Sequence, residues 1–259
     1  MLVDTHIHLD AAEFDADRPQ VMDAARAGGV GAFVVPAVDA ASFARVAALA
    51  AMNTDVHHAL GIHPMYVMTA CGEDLDLLDE KLAHGGALAV GEIGLDYFVP
   101  ELDPVIQERF FVAQLRLARR HGLPVILHVR RAIDSILKHL RRIEVCGGVA
   151  HAFNGSRQQA EAFMALGFKL GFGGAMSFEG SSRIRSLAAE LPLEAIVLET
   201  DAPDIPPAWA QRGRNEPANL ARFAAILADL RGISLEQVAA ATSENAFAVF
   251  PRLGASPRR

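Results

Sequence analysis

The chain has 259 residues, 51% hydrophobic and 21% charged, which excludes a disordered segment and supplies a large buried core. A formal net charge of −7 argues against a protein that grips long duplex by charge alone, though bound cations can carry a phosphate site in an acidic protein. Cys71 and Cys146 are its two cysteines, which predicts a reducing compartment without disulfides. No basic, signal-like segment and no apolar run of about 18 residues are seen, so a cytoplasmic protein without a membrane span is expected.

Short apolar runs alternate with amphipathic stretches from end to end. Predicted strand Leu2–Leu9 is followed by helix Pro19–Ala27, strand Gly31–Val38 by helix Ala41–Ala51, and strand Val56–His63 by helix Glu73–His84. Strand Leu88–Leu95 precedes helix Val105–His121, Pro124–Val129 precedes Ala132–Arg142, and Gly148–Phe153 precedes Ser156–Leu166. Strands Phe168–Gly173 and Ala195–Thr200 precede helices Ile184–Leu191 and Ala218–Leu230, and a further helix, Leu235–Val249, closes the chain. Pro19 suits a first helical turn, Gly28 and Gly122 suit helix stops, and Ser156 suits an N-cap. Eight strand–helix units at this length predict a single-domain α/β fold, a (β/α)8 TIM barrel over residues 1–253 with an extra C-terminal helix and a frayed tail at 254–259. A doubly wound open sheet is the alternative, but no glycine-rich phosphate loop follows the first strand.

Barrel active sites lie at the C-terminal ends of the strands. His6 and His8 fall there on the first strand, two apart, so a strand presents both on one face. The third strand offers His63, the fourth Glu92, the fifth His128 and Arg130, the sixth His151, and the eighth Asp201 with Glu199 two residues before it. Any one histidine has an ordinary structural reading, and Asp201 could cap a turn. An unpaired Glu92 in an apolar strand would be costly and calls for a cation or dense hydrogen bonding. Together these residue types form a metal-ligand pattern. His6, His8 and Asp201 make one set, His128 and His151 a second, and Glu92 is placed to bridge two divalent ions. Lys81 and Lys138 lie in helices and Lys169 near the start of the seventh strand, so no lysine stands at a strand's C-terminal end to serve as a carbamylated bridge. His57, His58, His84, His121 and His139 are assigned to structure or solvent, as are the basic helical faces around Arg116–Arg120 and Lys138–Arg142.

The segments Asp4–His8, Gly61–Pro64, Gly91–Asp96, Leu127–Arg130, His151–Gly155 and Leu198–Pro203, with Asn245 and Phe250 near the end, resemble the TatD family of metal-dependent hydrolases and deoxyribonucleases in the amidohydrolase superfamily, most closely its YjjV-type subgroup. The resemblance implies a TIM barrel with a binuclear centre, ligands His6, His8, Glu92, His128, His151 and Asp201, and a pocket lined by His63 and Arg130. Ala152-Phe153-Asn154-Gly155 departs from the usual family wording after the sixth strand, beside a ligand position rather than at one.

A phosphodiester hydrolase is therefore expected, with Glu92 and Asp201 as catalytic carboxylates, Asp201 as general base, and His63 and Arg130 on the phosphate oxygens. Its cofactors would be two divalent ions, zinc, manganese or magnesium; its substrate DNA or another phosphodiester or ester; no obligatory protein partner is evident. Two rivals remain: the same site acting on another ester or amide, including a D-aminoacyl-tRNA ester, and a barrel that binds metal without catalysis. Trp209 has two open readings, stacking a base beside Arg212 or Arg214, or anchoring its loop.

Overall fold

The computed structural model describes residues 1–211 and 213–254; Arg212 and the expected tail residues 255–259 lie outside the described residues. Eight strands run in sequence: β1 (Leu2–Asp4), β2 (Val30–Pro36), β3 (Val56–Ala59), β4 (Val90–Asp96), β5 (Val125–Arg130), β6 (Gly148–Ala150), β7 (Phe168–Phe172) and β8 (Ile196–Leu198). All neighbouring ladders are parallel, β1 to β3 in one run and β4 to β8 in another. A single parallel bridge, Leu60 to Val90, joins the runs on one side, and the Thr5 amide donating to Leu198 O (3.1 Å) joins them on the other. The expected (β/α)8 barrel is thus closed.

The helices are α1 (Arg18–Ala27), α2 (Phe43–Met52), α3 (Gly72–His84), α4 (Pro104–His121), α5 (Ile133–Leu140), α6 (Arg157–Ala165), α7 (Ser182–Glu190), α8 (Leu220–Arg231) and α9 (Leu235–Val249). Their ends follow local chemistry. Ser156 accepts from the Gln159 amide at 3.2 Å and completes a capping box on α6. Gly122 ends α4 in the left-handed region at φ 60°, which glycine adopts without the Cβ clash.

Alternation along the strands sorts the core into two layers. Phe33, Val35, Leu127, Ala150, Ile196 and Leu198 face the helices, while Ala32, Val34, Ala59, Ile126, Val149 and Val197 face the barrel axis. The axial layer is closed at the base by Val249, the last residue of α9, and by Phe250 and Leu253 just after it. Asn245 Nδ2 donates to Leu193 O and Ile196 O, both at 2.8 Å, and Ser243 Oγ donates to Met1 O at 2.9 Å, so α9 is tied to the ends of β1 and β8. Gly254 closes a short 3-10 turn begun at Pro251.

Several strands are shorter than expected. β1 stops at Asp4 rather than Leu9, β3 at Ala59 rather than His63, β6 at Ala150 and β8 at Leu198. The strands splay toward the rim, and their continuations trade ladder pairing for single hydrogen bonds. The Ile7 amide donates to Val34 O, the Asp201 amide to His6 O, and the His8 amide to Ala202 O. His6 and His8 therefore do not sit on a regular strand, although the segment that carries them is pinned on both sides.

Candidate metal centre

Glu92 is the hub of the rim, 2% exposed and surrounded by imidazoles. Its Oε2 lies 3.2 Å from His6 Nε2 and 3.8 Å from His8 Nε2. Its Oε1 lies 3.1 Å from His128 Nδ1 and 3.5 Å from His63 Nε2. Asp201 Oδ1 stands 3.5 Å from His6 Nε2 and 3.6 Å from both His8 Nε2 and His151 Nε2. His6 stacks on His151 with ring centroids 3.7 Å apart, and His63 meets His128 edge-on at 4.3 Å.

Three groups of donors converge closely enough to share an ion: His6, His8 and Asp201; His6, Glu92 and His151; His63, Glu92 and His128. All six residues expected as ligands are thus gathered at one place. The pairing of His128 with His151 is looser than the sequence implied, since His151 leans on His6 and Asp201 while His128 faces His63. Arg130 is half exposed at the mouth, its Nη1 3.8 Å from Asp96 Oδ2 and its guanidinium 3.8 Å above the Phe98 ring.

The electrostatics are set by burial against imidazole–carboxylate pairing. Burial pushes the Glu92 carboxyl up, but His6, His63 and His128 outweigh it and hold it well below the usual carboxylate range. Burial is likewise outweighed at Asp201, held down by His151, His6 and His8. Burial lowers His6 and His63, whereas His151 is driven well above the ordinary value by Glu199 and Asp201. Among the described residues, the ion-pair partners of Glu92 and Asp201 are all histidines. His6 Nδ1 and Glu199 Oε2 are buried without a hydrogen-bond partner. Converging imidazole nitrogens and carboxylate oxygens fit divalent cations that accept mixed N/O donors.

Outer carboxylates hold this set. Glu199 Oε1 lies 3.0 Å from His151 Nδ1 and accepts the Ala152 amide at 2.6 Å. Room for it is made by Gly171, where a Cβ would meet Glu199 Oε2 at 2.1 Å. Asp96 Oδ2 lies 3.0 Å from His128 Nε2. Asp4 accepts from the Thr200 hydroxyl at 2.6 Å and the Thr200 amide at 2.9 Å, joining β1 to the loop carrying Asp201; burial pushes its carboxyl up to about 8. Sequence reasoning gave Asp4 and Asp96 no role, although both stand in the motifs that carry the family resemblance. At the edge of the site, Trp209 anchors its loop: its Nε1 donates to Asn219 Oδ1 at 3.0 Å and its ring packs on Phe223 and under Arg222. Arg214, which one of the two readings of Trp209 set beside a stacked base, is tied to Asp17 and Glu216.

A closed barrel that gathers imidazoles and carboxylates at the C-terminal ends of its strands defines a metal-dependent hydrolase. The chain matches the family described as TatD related DNase over residues 3–251. It is 41% identical over 251 residues to the uncharacterized metal-dependent hydrolase YjjV of Escherichia coli K12, covering 96% of this chain and 97% of that one. Human deoxyribonuclease TATDN3 is 32% identical over 266 residues, covering 97% of this chain and 95% of that protein. The crystal structure of E. coli YjjV superposes with a TM-score of 0.93 at 40% identity, covering 96% of this chain and 98% of the other. A TatD-family hydrolase from Entamoeba histolytica, 19% identical, shares the fold at a TM-score of 0.83 over 96% and 97% of the two chains. This chain belongs to the TatD family and is a metal-dependent hydrolase. Among the described residues, no helix is long and apolar enough to cross a membrane.

Proposed function

We propose that this hydrolase cleaves phosphodiester bonds, with DNA as its substrate class, using two divalent cations that His6, His8, Glu92, His128, His151 and Asp201 would hold, Glu92 being the residue placed to serve both. One observation carries the reading: the two oxygens of Glu92 face two different sets of imidazoles, Oε2 toward His6 and His8 and Oε1 toward His63 and His128. We assign His6, His8 and Asp201 to one cation and His128 and His151 to the other. When bound, such a pair supplies Lewis acidity to a phosphoryl oxygen and raises the acidity of water. The relatives named deoxyribonucleases support the choice of bond.

The remaining chemistry belongs to the chain's own side chains. Asp201, held ionised by its histidine neighbours, accepts the proton of the attacking water at a carboxylate oxygen. Arg130, aimed at the mouth and steadied on Phe98, pairs with phosphate oxygens by charge-assisted hydrogen bonds. His63, buried beside Glu92, gives a second contact to the phosphate.

The test is a panel of single-stranded DNA, a chromogenic phosphodiester, a carboxyl ester and a D-aminoacyl-tRNA. It is run on chelator-stripped protein after adding back zinc, manganese or magnesium singly. Cleavage of the phosphodiesters above the carboxyl substrates is expected. Preference for a carboxyl ester would overturn the assignment of the bond, and no turnover by a fully loaded protein would overturn catalysis itself.

A further inference from the structure

β3 and β4 part company at the rim. Their pairing is limited to the Leu60 to Val90 bridge and the backbone hydrogen bonds Leu88 to His58, Leu60 to Ala89 and Gly91 to Leu60; beyond it Ile62 and Asp96 would leave backbone groups without strand partners. Two side chains of α4 fill the gap. Gln114 Oε1 accepts the Ile62 amide at 2.7 Å while its Nε2 donates to Ile62 O at 3.0 Å. Gln107 Oε1 accepts the Asp96 amide at 2.7 Å while its Nε2 donates to Asp96 O at 2.8 Å. Both glutamines are fully buried, seven residues apart on the face of α4 that also carries Phe110, Phe111, Leu115 and Ala118. Packing alone does not ask for an amide there, since a leucine would fill the same stripe without the cost of burying a polar group. What does ask for it is a side chain that donates and accepts at once, as a neighbouring strand would.

The residues so clamped stand next to the phosphate side of the site. Ile62 precedes His63, whose Nε2 lies 3.5 Å from Glu92 Oε1. Asp96 carries the carboxylate that touches His128 Nε2 at 3.0 Å and Arg130 Nη1 at 3.8 Å. We propose that Gln107 and Gln114 are positioning residues: Gln114 sets His63 against the substrate phosphate, and Gln107 sets Asp96, and through it His128 and Arg130. The kinetic part of this inference rests on the phosphodiester reading; the placement of the imidazoles does not.

The test compares Gln114→Leu and Gln107→Leu with Leu115→Ala, a buried α4 change that weakens packing and removes no hydrogen bond to a strand end. Gln107→Glu and Gln114→Glu, which keep the acceptor and lose the donor, serve if the leucine variants do not fold. On a chromogenic phosphodiester, Gln114→Leu should raise KM about tenfold with kcat within about threefold, as a misplaced contact group does. Gln107→Leu should weaken the second cation about tenfold by calorimetry on stripped protein, on the scale of losing an outer support. In protein labelled with 15N-histidine, Gln114→Leu should move the His63 imidazole signals and Gln107→Leu those of His128, whereas Leu115→Ala should move neither. Glutamine variants that lose stability as Leu115→Ala does, with unshifted imidazole signals and unchanged cation affinity, would overturn the proposal. A wild-type enzyme inactive on phosphodiesters but showing the selective signal shifts would overturn only the choice of bond.

Discussion

The base and the rim of this barrel are built by the same strands, a few residues apart, and their chemistry is opposite. At the base, Ile126, Val149 and Val197 point at the axis and meet Phe250, which is 0% exposed, under a helix tied down by Asn245 and Ser243. Two residues further along come His128, still on β5, and His151 and Glu199, each just past the end of its strand, β6 and β8. The base is complete from its own residues. The rim gathers carboxylates and imidazoles whose mutual contacts leave buried atoms unpartnered, in groups that could hold a metal ion. Stability and chemistry are thereby separated along one axis, and changes at the two ends should have separable effects.

The largest effect is expected from Glu92→Gln, which removes the carboxylate shared by both sets of imidazoles. Hydrolysis should fall by about 10³-fold or more, on the scale of losing a central electrostatic element, while the stripped protein still folds, with a lower melting temperature because the imidazoles that hold Glu92 ionised lose their partner. Steady-state rates and a thermal melt read the two quantities on one sample.

Phe250→Ala is the counterpart at the base. Loss of a fully buried ring should cost about 3–5 kcal/mol of stability, read by denaturant unfolding, with cation affinity unchanged. A loss of cation affinity equal to that at the rim would break the comparison.

Glu199→Gln tests the outer support of the rim. It keeps an acceptor for the Ala152 amide and removes the charge beside His151. Cation affinity should weaken about 10–100-fold, as outer-support changes do in metal sites. Calorimetric titration of stripped protein checks it.

The smallest effect is a pH dependence at the base. Burial, then neighbouring His57, lowers His58 from 6.5 to about 4, so the folded protein holds it neutral. The unfolded chain binds more protons between those values, so this contribution to stability is present above pH 6.5 and is lost as pH falls toward 4. Unfolding of His58→Gln should show a flatter acid limb over that interval than the wild type, with the same cation titration.

The barrel was legible because periodicity survives wherever a strand or helix is half-buried, and eight repeats leave little choice of architecture. His128, His151 and Asp201 were legible for a related reason: each continues the alternation that points Ile126, Val149 and Val197 inward. His6 and Glu92 reach the site by breaking it. Val3 already faces the axis three residues before His6. On β4 the pairing with β5 slips by one residue between Val90 and Ile93, so Glu92 faces inward as Ala89 does. Such slips depend on neighbouring strands and leave no local pattern, which is why the first strand reads as running to Leu9 when it ends at Asp4. Gln107 and Gln114 did leave a signal, two amides seven apart in an apolar helical stripe, but that spacing reads as helix surface until the parted strands beside it are seen.

The most direct test of the account is the stoichiometry of cation binding to stripped protein by calorimetry with elemental analysis, for the wild type and Glu92→Gln. The account predicts about two ions per wild-type chain, as expected for paired sites of this chemistry, and at most one in a folded Glu92→Gln. Wild-type protein that takes up no divalent ion, or a Glu92→Gln variant that binds both as tightly as the wild type, would contradict it.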